Sequence, residues 1–171
     1  MEKPAKGVFL VAGRDLRDPN FARTVVLLVA YGPDGAAGVI VNRPLETTLG
    51  DALPELEKAD EPSPALYFGG PVEPRRIWML LRSEDQPDGT ESVLEDVYVS
   101  SRSSVLEHLL GEEEKNFRVY SGFAGWAPEQ LDWEIERGSW WLIEADADSI
   151  FTEDPSDLWQ RLIRRTSSPL V

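Results

Sequence analysis

The sequence predicts an α+β fold built on a mixed sheet. Three observations lead there. Strand-like and helix-like segments alternate irregularly, one pair of strands is joined by a tight turn, and no repeat of roughly 20–50 residues is present. Neither a strand–GxGxxG–helix arrangement nor GxxxxGK[ST] occurs, so dinucleotide and P-loop sites have no support. At 171 residues the chain fits one domain. A chain of that size buries roughly 70% of its extended surface, enough for a core without metals or disulfides.

Residues 7–12 are apolar with little alternation and read as a buried strand. RDLRDPNF (14–21) is a polar loop with Asp18-Pro19-Asn20 as turn chemistry. TVVLLVAY (24–31) is β-branched and continuous, as a central strand requires. GPDG (32–35) then turns the chain, so Ala37–Asn42 should return antiparallel. Residues 46–64 are acidic and proline-punctuated, with Leu49, Leu53 and Leu56 spaced for one or two helical turns. Strands are expected at 65–70 and 76–82, an exposed loop at 83–96 and a short strand at 97–100.

Ser100 or Ser101 can cap the following helix, which Gly111 stops. Its buried stripe is Val105, Leu106, Leu109 and Leu110, which leaves His108 at the margin, pointing to solvent. A strand over 117–125 follows, then a helix entered through Pro128 and ending near Arg137–Gly138. A strand over 139–146 and a helix over 155–166 complete the order. In that last helix acids precede Arg161, Arg164 and Arg165, which complements the dipole.

Composition narrows function by exclusion. The chain has no cysteine, so thiol catalysis and disulfides are absent, and its single histidine rules out a multi-histidine metal site. No metal or other cofactor is implied. No apolar run approaches the ~20 residues of a membrane span, and the N-terminal run 8–12 is too short for a secretory signal. The reading is therefore a soluble cytoplasmic protein with no membrane contact. A net charge of −14, from 31 acidic and 17 basic residues, repels phosphate backbones and argues against nucleic acid. The basic residues are 13 Arg and 4 Lys, which favours specific pairing over general solvation.

Three stretches carry candidate chemistry. Asn42-Arg43-Pro44 either ends a strand or presents a planar cation, suited to carboxylate or phosphate, beside an amide. Gly69-Gly70 before Pro71 either makes a turn or forms a nest of N–H groups for an anion. Glu73 could pair with Arg43, Arg75 or Arg76. In the 128–138 helix, Leu131 and Ile135 face the core, while Gln130, Trp133, Glu134 and Arg137 share the opposite side. With Trp126 nearby, this is either a contact surface of aromatic and arginine anchors or a face covered by a second layer. No nucleophile–base arrangement emerges, and no catalytic residue is assigned.

FLVAGRDLRDPNFARTVVLLV, GAAGVIVNRP, FGGPVE and GFAGWAPEQLDWEI together resemble the AlgH/YqgE family of bacterial proteins, in the family's order and over about residues 7–165. The resemblance implies one domain over 1–171, with a mixed, partly barrel-like sheet and helices packed outside. It also implies a cytosolic location and an unsettled activity; some members are labelled transcriptional regulators. This chain departs from the family pattern at Gly13-Arg14, at Leu81 where many members have histidine, at Glu129 where glycine is usual, and at Trp133. The intact Asn-Arg-Pro and Gly-Gly-Pro blocks are expected to face one another around a cleft.

The leading expectation is a non-enzymatic binding or regulatory protein that meets a protein partner or a small anionic ligand. The alternatives are a DNA-binding regulator, and a metal-independent enzyme in which Arg43 clamps an anionic substrate. The sequence leaves the oligomeric state open.

Overall fold

The structure is a computed structural model and describes residues 3–55, 63–114 and 116–166. Ten strands form one connected sheet, accompanied by five helices. The N-terminal strand β1 (Val8–Ala12) is followed by the expected hairpin, β2 (Val25–Gly32) and β3 (Gly35–Ile40), closed by Pro33-Asp34. The chain then runs β4 (Pro44–Thr48), α1 (Leu49–Ala52), β5 (Ala65–Phe68), β6 (Val72–Arg82), β7 (Glu91–Leu94) and β8 (Val97–Ser100). Next come α2 (Ser103–Leu110), β9 (Phe117–Trp126), α3 (Gln130–Glu136) and β10 (Trp140–Glu144). The chain ends with α4 (Ala147–Ile150), a 3-10 turn over Pro155–Asp157, and α5 (Leu158–Thr166).

The strand order is β10-β1-β2-β3-β9-β6-β8-β7, all antiparallel, with β5 pairing parallel to β9 and antiparallel to β4. The sheet is thus mixed, as the sequence predicts. Long β9 makes the branch: its first half pairs with β5 and β6, its last residues with β3.

The sheet curls without closing. Phe9 and Val11 at one end of the strand order share a core cluster with Val93, Val97 and Val99 from the other. A Cβ placed on Gly7, just before β1, would lie 2.8 Å from the carbonyl oxygen of Val93. No ladder joins the two ends, so a seam remains between the β7–β8 turn and the end of β10. This is the partly barrel-like form that the family resemblance implies.

Helices α1 and α2 cover the outer face of one half and α3 that of the other. Helix α5 instead packs Leu158, Leu162 and Ile163 into the concave-side cluster. Its arginines follow the expected dipole pattern, with Arg161 3.3 Å from Asp157. Among the described residues no helix is long and apolar enough to cross a membrane.

Three local expectations change. Pro44 does not end a ladder but opens β4, where a first-strand position needs no N–H from it. The stretch 83–96 is not all loop, since 91–94 pair with β8 as β7. Helix α2 takes Arg102 as its N-cap rather than a capping serine, and Ser100 Oγ instead accepts from the Arg102 N–H. Leu56 lies outside the described residues. The α2 stripe is as expected, with all four apolar residues buried and His108 exposed beside Glu112 at 2.9 Å.

Candidate functional site

The loop over 13–24 links two of the three stretches singled out by sequence. It leaves β1 through Gly13, whose N–H donates to the Ser139 carbonyl at 2.8 Å. An Asx turn at Asp18, whose Oδ1 accepts from the Asn20 N–H, folds it back on itself.

Arg43 holds this loop from one side. Its guanidinium donates to the carbonyls of Pro19 (3.0 Å), Asn20 (2.9 Å) and Ala22 (2.8 Å). The planar fork that suits carboxylates or phosphates here gathers three backbone oxygens. Partial burial lowers the Arg43 pKa by desolvation, and among the described residues no carboxylate pairs with it. Asn42 works alongside: its Oδ1 accepts from the Val25 N–H (2.8 Å) and its Nδ2 donates to the Arg23 carbonyl (3.0 Å). Asn42 thereby extends the pairing of this segment with the start of β2 past the Val41 N–H bond to the Val25 carbonyl.

The other side of the loop is held by aromatics. Phe21 stands edge-on to Trp140 at 5.7 Å and tilts against Trp126 at 6.4 Å, and the two indoles meet edge-on at 5.9 Å. Trp126 and Trp140 are almost fully buried, and both indole N–H groups donate to Glu134 Oε1, at 3.0 and 2.9 Å. Gln130 Nε2 donates to Glu134 Oε2 at 2.9 Å, while Gln130 Oε1 accepts from the Ala127 N–H. Glu134 is therefore a hub that fixes α3 on the sheet. Of the five residues proposed as an interaction surface, Trp126, Gln130 and Glu134 build its foundation.

Trp133 and Arg137 are the outward part. Trp133 is 56% exposed, and no layer among the described residues covers it. The Arg137 guanidinium lies over its ring at 4.3 Å, a cation–π contact that orients both side chains. On the same helix Asp132 accepts a hydrogen bond from the Tyr31 hydroxyl, which ties α3 to the end of β2. That carboxylate bond raises the Tyr31 pKa.

Gly69-Gly70 lies next to Asn42-Arg43, as expected, but as a closed joint rather than a cleft. The Phe68 N–H donates to the Arg43 carbonyl and the Ile40 N–H to the Gly69 carbonyl, both at 2.9 Å. A Cβ on Gly69 would sit 2.3 Å from the Gly122 oxygen, and one on Gly70 2.1 Å from the Phe123 carbonyl carbon. The glycines admit β9 backbone where an anion nest would need open space. Glu73 points away and pairs with Arg76 at 3.6 Å, one of its three anticipated partners.

Phe21 and Arg118 escaped the sequence reading. Phe21 was the only aromatic in a polar loop, and that contrast was the available signal. Arg118 shares a strand face with Tyr120 and donates to the carbonyls of Ile150, Phe151 and Thr152, closing the segment after α4. Its signal was a charge at an inward position of an alternating strand.

A family model described as AlgH-like matches residues 9–170. A UPF0301 protein of Myxococcus xanthus is 36% identical over 167 residues, covering 96% of this chain and 91% of that protein. One from Chlorobium luteolum is 33% identical over 163 residues, covering 94% and 85%. The fold also matches a crystal structure from Corynebacterium diphtheriae, with a TM-score of 0.80 at 26% identity, covering 99% of this chain and 90% of the other. The solution structure of the AlgH protein from Pseudomonas aeruginosa gives 0.74 at 29% identity, covering 99% and 95%. With nearly the whole chain matched by sequence and by fold, this protein belongs to the AlgH-like family.

Proposed function

We propose that this chain is a cytosolic, non-enzymatic binding protein that meets a protein partner through the Trp133–Arg137 face of α3. One observation carries the reading: a half-exposed tryptophan, stacked under arginine, stands on a helix that Gln130, Asp132 and Glu134 hold in place. An aromatic anchor fixed before contact loses little entropy on binding, and tryptophan and arginine are both enriched at interface hot spots. The catalytic alternative relied on Arg43 as an anion clamp. Its guanidinium is engaged by three carbonyls, so the polar group best suited to substrate belongs to the loop.

The test is differential capture of the tagged full-length protein and its Trp133→Ala variant from the native host, followed by titration of the purified partner. Trp133 is outside the core, so the variant should melt within about 0.5 kcal/mol of the parent. Affinity for the partner should fall at least about tenfold, as expected of an anchor worth more than ~1.4 kcal/mol. Identical companions and identical affinities for the two proteins would remove α3 from the function.

A further inference from the structure

A concave site lies against α2, with no residue of α3 in its lining. A cleft of about 580 Å³ opens between α2, the 83–90 loop and the ends of β6 and β9. That volume is in the range of small-molecule sites, about 300–1,000 Å³. Its floor is apolar, from Leu81, Val105 and Leu109, all buried.

The loop that walls it is internally fastened. Thr90 Oγ1 donates to the Pro87 carbonyl (2.7 Å), Gln86 Nε2 to the Thr90 carbonyl (2.8 Å) and Ser100 Oγ to the Gly89 carbonyl (2.9 Å). Gly89 adopts φ +81 and comes so close to α2 that a Cβ would be 2.8 Å from Val105 Cγ2. The wall is thus built rather than draped.

The rim carries two arginines and two acids in a chain of net charge −14. Arg82 donates to Asp148 at 2.6 Å, and Glu112 accepts from His108 at 2.9 Å. Among the described residues, Arg102 and Asp88 have no side-chain hydrogen bond or ion pair, although both line this one cleft. Arg102 is also the N-cap of α2 and makes no side-chain cap bond, so its guanidinium is not spent on the helix. The cleft therefore offers a planar cation at Arg102 and an anion at Asp88 beside an apolar floor.

We infer that this cleft binds a small zwitterion with an apolar body, of the class of apolar amino acids and dipeptides. Its carboxylate meets Arg102, its ammonium meets Asp88, and its side chain covers Leu81, Val105 and Leu109. A dianion would be repelled by Asp88, and a polycation by Arg82 and Arg102. The site is independent of the α3 face.

The experiment follows backbone amides of Gly89, Ser104 and Val105 in isotope-labelled full-length protein. The probes are L-leucine, L-phenylalanine and leucyl-phenylalanine, with phenylpropionate and phenethylamine as one-ended analogues. At least one zwitterion should give saturable shifts confined to the cleft, with each analogue about tenfold weaker, the loss of one charged contact. Arg102→Gln should weaken the zwitterion about tenfold and leave phenethylamine unchanged, while Asp88→Asn should weaken the zwitterion likewise and leave phenylpropionate no weaker. Absence of saturable shifts with all three zwitterions overturns the inference. So does equal affinity for zwitterions and analogues, a comparison made on the unaltered protein and needing no variant to fold.

Discussion

Arg43→Ala is the substitution that most directly separates a clamp from a ligand site. Three guanidinium hydrogen bonds to carbonyls are lost. A bond to a charged group contributes about 1.5–3 kcal/mol, but only where its partner is left dry. The Ala22 bond is part-buried and counts at about 2 kcal/mol, whereas the exposed Pro19 and Asn20 carbonyls rehydrate and count at about 0.5 kcal/mol each. The expected loss is about 3 kcal/mol, or a Tm lower by roughly 6–12 °C for a chain of this size. Urea unfolding gives the free energy, and hydrogen exchange gives its location. The Phe21–Thr24 amides should exchange faster while those of β9 are unchanged. Arg43→Lys should recover about half, because an ammonium is a point donor and cannot span the fork. A loss below about 1 kcal/mol, with loop exchange unaltered, would refute the clamp and return Arg43 to the candidates for ligand contact.

Glu134→Ala should cost about 3 kcal/mol by stranding two buried indole N–H groups, with Glu134→Gln milder because it keeps Oε1; tryptophan-monitored melts compare the two. Gly70→Ala should cost more than about 3 kcal/mol or prevent folding, since its methyl would occupy β9 backbone; far-UV circular dichroism and solubility report it. Glu129 holds φ 68 at the start of α3, so Glu129→Gly should stabilise by about 1 kcal/mol in urea titration. Burial raises the Tyr120 pKa, and among the described residues its hydroxyl has no hydrogen-bond partner. Above the ordinary tyrosine pKa of about 10 the unfolded chain releases a proton that the native state keeps, so stability falls as pH rises there. Tyr120→Phe should flatten that decline and gain up to about 1 kcal/mol at neutral pH, both read from unfolding curves across pH.

Much of the fold was legible because its signals are local. The 24–42 hairpin announces itself through β-branched residues around Pro33-Asp34, and α2 through a stripe at helical spacing. Strands β4 and β7 were not legible, since each is short, polar and defined by a partner strand. The site divided along the same line. Trp133 and Arg137 were found because helical geometry places them together on an exposed face. Arg43 was ambiguous because its acceptors are backbone carbonyls, which every residue carries and no letter marks. Glu134 looked like a neighbour of Trp133 on the surface, and only the return of β9 and β10 beside α3 supplies the indoles that claim it.

The seam between the two ends of the curled sheet bears on which backbone edges the sheet offers to another chain. Such a sheet with free ends would present unpaired backbone edges at β10 and β7, the two ends of its main path, as templates for another chain, beside the edge of the short branch strand β4. Curling brings the Leu94–Asp96 turn against the Glu144–Ala147 segment, so each end shelters the other with side chains and acidic charge. Full closure would remove the edges but would require every strand to hold a matched stagger. The open seam gives up that demand on register and still shelters the β7 and β10 edges from a neighbouring molecule. A substitution that widened it, such as a bulky residue at Gly7, would therefore show itself first as concentration-dependent aggregation and only later as lost stability.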